Sequence, residues 1–335
     1  MKKILIKLTL VIIGVLAGTA LLEILMAFSF SPEYDFKNMV SQRIFEDNQF
    51  GFHEKYFRPS KLLGNELVPN ADETVNSLGM RDKEYPVQKP AGTFRILLLG
   101  DSVTHLGKWS DYLEERLNET RKIEILNSSV PGWNLLNYNL YLKHKGLALK
   151  PDMVMMGICL NDITDWDRIE TIHINKEKQK ATWYVLKNSK DELLFDVTLK
   201  INPVLFRKSF LYRFIVARFF MRREIDEDLN PVIVLKNIRA MAGGQVLAVV
   251  FPFIKPLTEY GEKEKEAYDV TRDKLSEAGI DYLDLTELFN APGADPVIFR
   301  ARPEDNLHFS DEGNRKITEA VYEWLNDRLP ADTDK

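Results

Sequence analysis

The stretch that decides the fold is Arg95-Ile96-Leu97-Leu98-Leu99-Gly100-Asp101-Ser102-Val103. A short apolar run ends at Leu99, Gly100-Asp101 breaks it, and a helical region opens at Ser102. A run that does not alternate with polar residues suits a strand covered on both faces. A strand turning straight into a helix begins a β–α unit. Open α/β sheets gather their sites at the carboxyl ends of strands, so Ser102 stands where such a site would be built.

The same rhythm recurs downstream. Arg95–Leu99, Ile123–Leu126, Met153–Gly157, Gln245–Val250 and Asp281–Leu285 are the candidate strands, and Asp281 and Asp284 interrupt the last. Helical faces lie between them: Trp109, Tyr112, Leu113 and Leu117 mark one, and Ile317, Ala320, Val321 and Trp324 mark the final one, with Ser310 placed to cap it. Strands alternating with helices predict an α/β fold, a parallel sheet with helices on both sides. Residues 163–240 break the alternation and read as an insertion. Its segment Phe210–Arg223, rich in Phe, Tyr and Arg, suits a helix packed on the core or a stretch lying on a membrane with arginines at the headgroups.

A serine hydroxyl needs a base within hydrogen-bond reach to attack an acyl carbon. Of the five histidines, His308 has the best setting, because Asp305 lies three residues before it on a loop entering a helix. That carboxylate can fix the imidazole tautomer and stabilise the imidazolium. Acyl transfer also needs N–H donors for the oxyanion. The candidates are the Ser102 backbone, the Gly132 backbone in Val130-Pro131-Gly132-Trp133, and the Asn161 side chain in Gly157-Ile158-Cys159-Leu160-Asn161-Asp162.

These four patches together resemble the SGNH hydrolases, also called GDSL-like lipases or esterases, over residues 93–328. Gly100-Asp101-Ser102-Val103 is similar to the family's serine block, with Val103 for the usual Leu. Gly132, the segment Gly157–Asp162 and Asp305–His308 match its other three blocks, although Gly157 stands further from Asn161 than in the compact pattern. The resemblance implies a three-layer α/β/α, flavodoxin-like fold with about five parallel strands and no cofactor or metal. It implies Ser102, Asp305 and His308 as the catalytic residues, with Ser102, Gly132 and Asn161 forming the oxyanion hole. Asn76-Ser77-Leu78-Gly79-Met80-Arg81 looks like a segment of membrane-anchored bacterial members associated with polysaccharide.

The N-terminus sets the compartment. Lys2 and Lys3 precede an apolar stretch from Ile4 to about Phe30, interrupted only by Lys7 and Glu23. A span takes roughly 20 apolar residues, and its basic flank stays inside. An uncleaved transmembrane helix is the expectation, and a signal peptide cut near Ala27-Phe28-Ser29 is the competing reading. The chain thus divides into an anchor or signal peptide at 1–30, a proline-bearing linker and arm at 31–92, and a hydrolase-like domain at 93–330. Net charge is −5 with no basic run, which argues against a nucleic-acid partner. One cysteine, Cys159, excludes an intrachain disulfide and reads as a small core side chain.

The expected protein is an exported, membrane-bound serine esterase. Its substrate is an ester-bearing small molecule or an acylated glycan carrying O-acetyl groups. Two alternatives stay open: an O-acyltransferase with the same triad, and a noncatalytic glycan-binding or assembly protein on this fold. The sequence leaves the oligomeric state undetermined.

Overall fold

A computed structural model describes residues 2–29, 55–60, 62–164, 170–175, 180–189, 192–202, 205, 209–215, 230–290 and 295–330. The centre is a five-stranded, fully parallel sheet. Its strands are β3 (Phe94–Gly100), β4 (Ile123–Asn127), β5 (Met153–Cys159), β9 (Val246–Phe251) and β10 (Asp281–Asp284), ordered β10-β9-β5-β3-β4. The chain moves outward first on one side of β3 and then on the other. The site therefore forms where the direction reverses.

The period of two along each strand separates the layers. Leu97 and Leu99 of β3, with Val154, Met156 and Ile158 of β5, face one cluster. There they meet α4 (Leu135–His144), α7 (Pro231–Met241) and α8 (Glu262–Glu277). Ile96, Leu98, Met153 and Met155 face the opposite cluster, against α3 (Trp109–Asn118), α9 (Thr286–Phe289) and α10 (Asp311–Asn326). This is the three-layer α/β/α arrangement. Asp281 and Asp284 are tolerated because β10 is an edge strand, only partly covered. Ser310 caps α10 by accepting from the Gly313 N–H.

The arm has more structure than its prolines suggest. Its described part holds an antiparallel hairpin, β1 (Phe57–Ser60) with β2 (Gly64–Leu67). Further on, Arg95 locks the arm to the sheet. Its guanidinium is fully buried, paired with Glu124 at 2.7 Å and donating to the carbonyls of Pro86, Val87 and Leu149. Hydrogen bonds and one ion pair satisfy that buried charge, as burial requires.

Within 163–240 lies a second, antiparallel sheet of β6 (Glu170–Asn175), β7 (Lys180–Ser189) and β8 (Glu192–Ile201). After it comes α6 (Phe210–Ile215), the described part of the aromatic segment, while 216–223 lie outside the described residues. α6 lies against the N-terminal helix α1 (Lys2–Ser29). Glu23 of α1 meets its start: the carboxylate accepts from the Phe210 N–H at 2.7 Å and from the Ser209 hydroxyl. Within α1, Ile6–Leu25 is long and apolar enough to cross a membrane, and none of it is buried.

Candidate active site

Ser102 is the first residue of α2 (Ser102–Leu106), directly beyond β3. Asp101 caps that helix, its carboxylate accepting from the Val103 N–H at 2.9 Å. The turn is tight because the glycines leave room for it. A Cβ on Gly100 or Gly157 would collide with Thr104 of α2. Gly157, far from Asn161 in the third block, therefore seats the helix that carries Ser102.

His308 arrives from the other end of the chain. The Ile254 N–H, just past β9, donates to Asn306 O at 2.7 Å, and Arg300 Nε donates to Ile254 O at 2.8 Å. These bonds hold the 300–309 loop against the sheet's carboxyl edge. Asp305 Oδ1 accepts the N–H groups of Leu307 and His308, both at 3.0 Å. Asp305 Oδ2 then lies 2.8 Å from His308 Nδ1, and His308 Nε2 lies 3.0 Å from Ser102 Oγ. With Nδ1–H donated to the carboxylate, the Nε2 lone pair faces the serine hydroxyl. Partial burial works to raise the Asp305 carboxyl, but the two N–H bonds and the imidazole outweigh it and hold it below the usual carboxylate range. It is ionised wherever the imidazole works as a base.

The candidate oxyanion donors rise from neighbouring strand ends. The chain leaving β4 stays beside β3, with Ser128 N–H donating to Leu98 O at 2.9 Å and Val130 N–H to Gly100 O at 3.2 Å. It then reaches Gly132, which is exposed and has φ +78°, a conformation suited to glycine. Asn161 is exposed on the first turn of α5 (Leu160–Thr164), which follows β5 without a break.

Several residues beyond the triad and the oxyanion candidates support this edge. Asp162 is fully buried and accepts from Tyr138 OH at 2.8 Å and Cys159 N–H at 2.9 Å. It thereby fixes the turn that presents Asn161. Burial, reinforced by the nearby Asp101 carboxylate, pushes the Asp162 carboxyl well up. Burial likewise pushes Asp101 to about 6, against the pull of the Val103 N–H and His308. In the sequence Asp162 stood out only as the last residue of the third block. His105 is not a second base. It is buried, its Nδ1–H donates to Ser129 O at 2.9 Å, and burial lowers it to about 4. Its own carbonyl accepts from Arg81, which ties the Asn76–Arg81 turn to α2. Cys159 is free and buried, and burial pushes its thiol up.

Among the described residues no cluster of His, Cys, Asp or Glu could hold a metal ion. An open depression of about 770 Å³ between α10 and the β10 edge, lined by Asp284, Glu287, Lys316 and Trp324, shares no residue with the Ser102 site.

The model of the GDSL-like Lipase/Acylhydrolase family matches residues 98–316. Among solved structures, the chain is similar to a lipase/acylhydrolase from Enterococcus faecalis. Identity is 17%, with 71% of this chain and 97% of that chain covered and a TM-score of 0.43. It is also similar to Axe2, an acetylxylan esterase from Geobacillus stearothermophilus, at 14% identity, 72% and 97% coverage and a TM-score of 0.43. A third likeness is LAE5, an α/β hydrolase enzyme from the metagenome of Lake Arreo, Spain, at 16%, 71% and 97%, and 0.43. No curated protein matches the chain.

Proposed function

The chain belongs to the GDSL-like lipase/acylhydrolase family, and on that premise we propose that it is a membrane-anchored serine esterase. Its substrates are acyl esters, O-acetyl groups on a glycan outside the cytoplasm. The observation that carries the chemistry is the unbroken hydrogen-bond chain Asp305–His308–Ser102.

In the proposed reaction, Ser102 Oγ bonds to the ester carbonyl carbon while His308 Nε2 takes its proton. The carbonyl electron pair moves onto oxygen, which the N–H groups of Ser102, Gly132 and Asn161 stabilise. The carbon–oxygen bond to the alcohol then breaks, and His308 returns the proton to the departing oxygen. A water molecule repeats the two steps on the acyl-enzyme, releasing the acid and restoring Ser102. Residues 93–330 form the hydrolase domain, with 163–240 inserted, residues 31–92 are the arm, and residues 1–30 the anchor.

Retention of the anchor is supported by Glu23. Cleavage near residue 29 would remove the carboxylate that meets the start of α6. The glycan part rests on the resemblance of Asn76–Arg81 to polysaccharide-associated members. The test is acetate release from O-acetylated polysaccharides and short aryl esters by wild type and His308→Ala. Release from both substrate classes by wild type alone supports the reading. Release from aryl esters only would remove the glycan, and transfer to an added sugar instead of water would make the protein an acyltransferase.

A further inference from the structure

The loop that carries Gly132 is held from outside the α/β domain, by the hairpin in the arm. Asn65 of β2 is buried, and its Nδ2–H donates to Pro131 O at 3.3 Å. Two further bonds fix the hairpin to the same segment. Trp133 Nε1–H donates to Asn65 O and Asn137 Nδ2–H to Leu63 O, both at 2.9 Å.

The Pro131 carbonyl and the Gly132 N–H are two ends of one peptide unit. In a planar trans peptide the oxygen and the hydrogen point in opposite directions, and the structure holds no cis peptide bond among the described residues. Whatever grips the oxygen therefore sets the direction of the hydrogen. The grip matters here because glycine itself supplies little restraint: at φ +78° other orientations of the plane are accessible at small cost. The Gly132 N–H makes no hydrogen bond with the described residues and lies on an exposed loop, open to a ligand.

We infer that Asn65 is a positioning residue for the ester-cleaving site: by holding Pro131 O it aims the Gly132 N–H at the oxyanion. This rests on the reading of Gly132 as an oxyanion donor. Asn65 never touches substrate. It acts through one peptide plane, from outside the α/β domain.

The test compares full-length wild type, Asn65→Ala, Asn65→Asp, Arg58→Ala and Ser102→Ala on an aryl acetate, with phenylboronic acid as the tetrahedral mimic. Loss of an oxyanion donor costs about 100- to 1,000-fold, and a donor left in place but unaimed costs less, about 10- to 100-fold. Asn65→Ala is expected to lower kcat by that factor with KM within twofold, and to weaken boronate inhibition by the same factor as kcat. Asn65→Asp keeps the shape but turns an acceptor toward Pro131 O, so it is expected to be at least as slow. Arg58→Ala removes only the exposed Arg58–Glu66 pair of the hairpin and is expected to leave kcat unchanged. The inference is overturned if Asn65→Ala and Asn65→Asp keep kcat within twofold, if boronate affinity does not follow kcat, or if Arg58→Ala loses as much. Activity surviving in Ser102→Ala would instead overturn the underlying site and this inference with it.

Discussion

Asp305→Asn gives the sharpest test of how the triad works. The wild-type carboxylate does two things: it accepts Nδ1–H at 2.8 Å, and it faces the positive charge that forms when His308 takes the serine proton. Two unit charges about 4 Å apart attract by about 4 kcal/mol at an effective dielectric of about 20, which is about a thousandfold in rate. The Asp305 side chain is 16% exposed, so water screens part of this, and about 100- to 1,000-fold is the expected loss in kcat/KM. Asparagine also inverts the tautomer. Its amide oxygen can still accept the N–H groups of Leu307 and His308, but that leaves its NH2 facing Nδ1. The proton then moves to Nε2, where it faces Ser102 Oγ as a donor rather than a base. The assay is kcat/KM on an aryl acetate from pH 5 to 9, with thermal melting as the control for folding. A variant that melts normally and keeps more than a third of wild-type kcat/KM would refute this account of His308.

Two further expectations follow from groups around the site. Gly157→Ala drives a methyl group into Thr104. Overpacking of this kind costs about 1–3 kcal/mol and displaces α2, so melting temperature and kcat are expected to fall together, whereas a fall in neither would show that the helix seat is loose. Asp82 is a half-buried carboxylate that accepts from Asn127 N–H, Lys83 N–H and Tyr85 OH, and loss of solvent around it raises it to about 7. Because its folded value lies above its unfolded one, its contribution to stability is full below about pH 4 and is lost as pH rises through about 7. Asp82→Asn sets two N–H donors against each other and is expected to cost about 1–3 kcal/mol. Denaturant titration should show the gap between wild type and variant narrowing from pH 5 to pH 8, and a gap that widens would contradict the sign.

The sheet was legible because parallel strands buried on both faces are spelled as compact apolar runs. Arg95–Leu99 and Met153–Gly157 could hardly be anything else, and even Asp281–Leu285, interrupted by two aspartates, was readable as a strand. Ser102, Asp305 and His308 could be proposed from the sequence because each lies in a short block of distinctive local order, and the fold brings their side chains into hydrogen-bond contact. The hairpin was not. Phe57–Ser60 and Gly64–Leu67 are four residues each, one containing a proline and the other opening on glycine. Asn65 gave no signal, because its meaning lies in a hydrogen bond to a residue 66 positions away. The aromatic segment was harder to place for a related reason. Its amphipathic composition suits any apolar partner, and the described part meets Glu23, whose hydrogen bonds to Ser209 and Phe210 the composition does not announce. Gly157 looked misplaced within a catalytic block until Thr104 appeared above it.

The central claim is that Ser102 is a nucleophile made reactive by His308. Incubating the full-length protein with a fluorophosphonate and locating the adduct by peptide mass spectrometry tests it directly. The expected result is one adduct, on Ser102, absent in Ser102→Ala and strongly slowed in His308→Ala. A folded wild-type protein that takes no label, or one labelled at the same rate without His308, would contradict it.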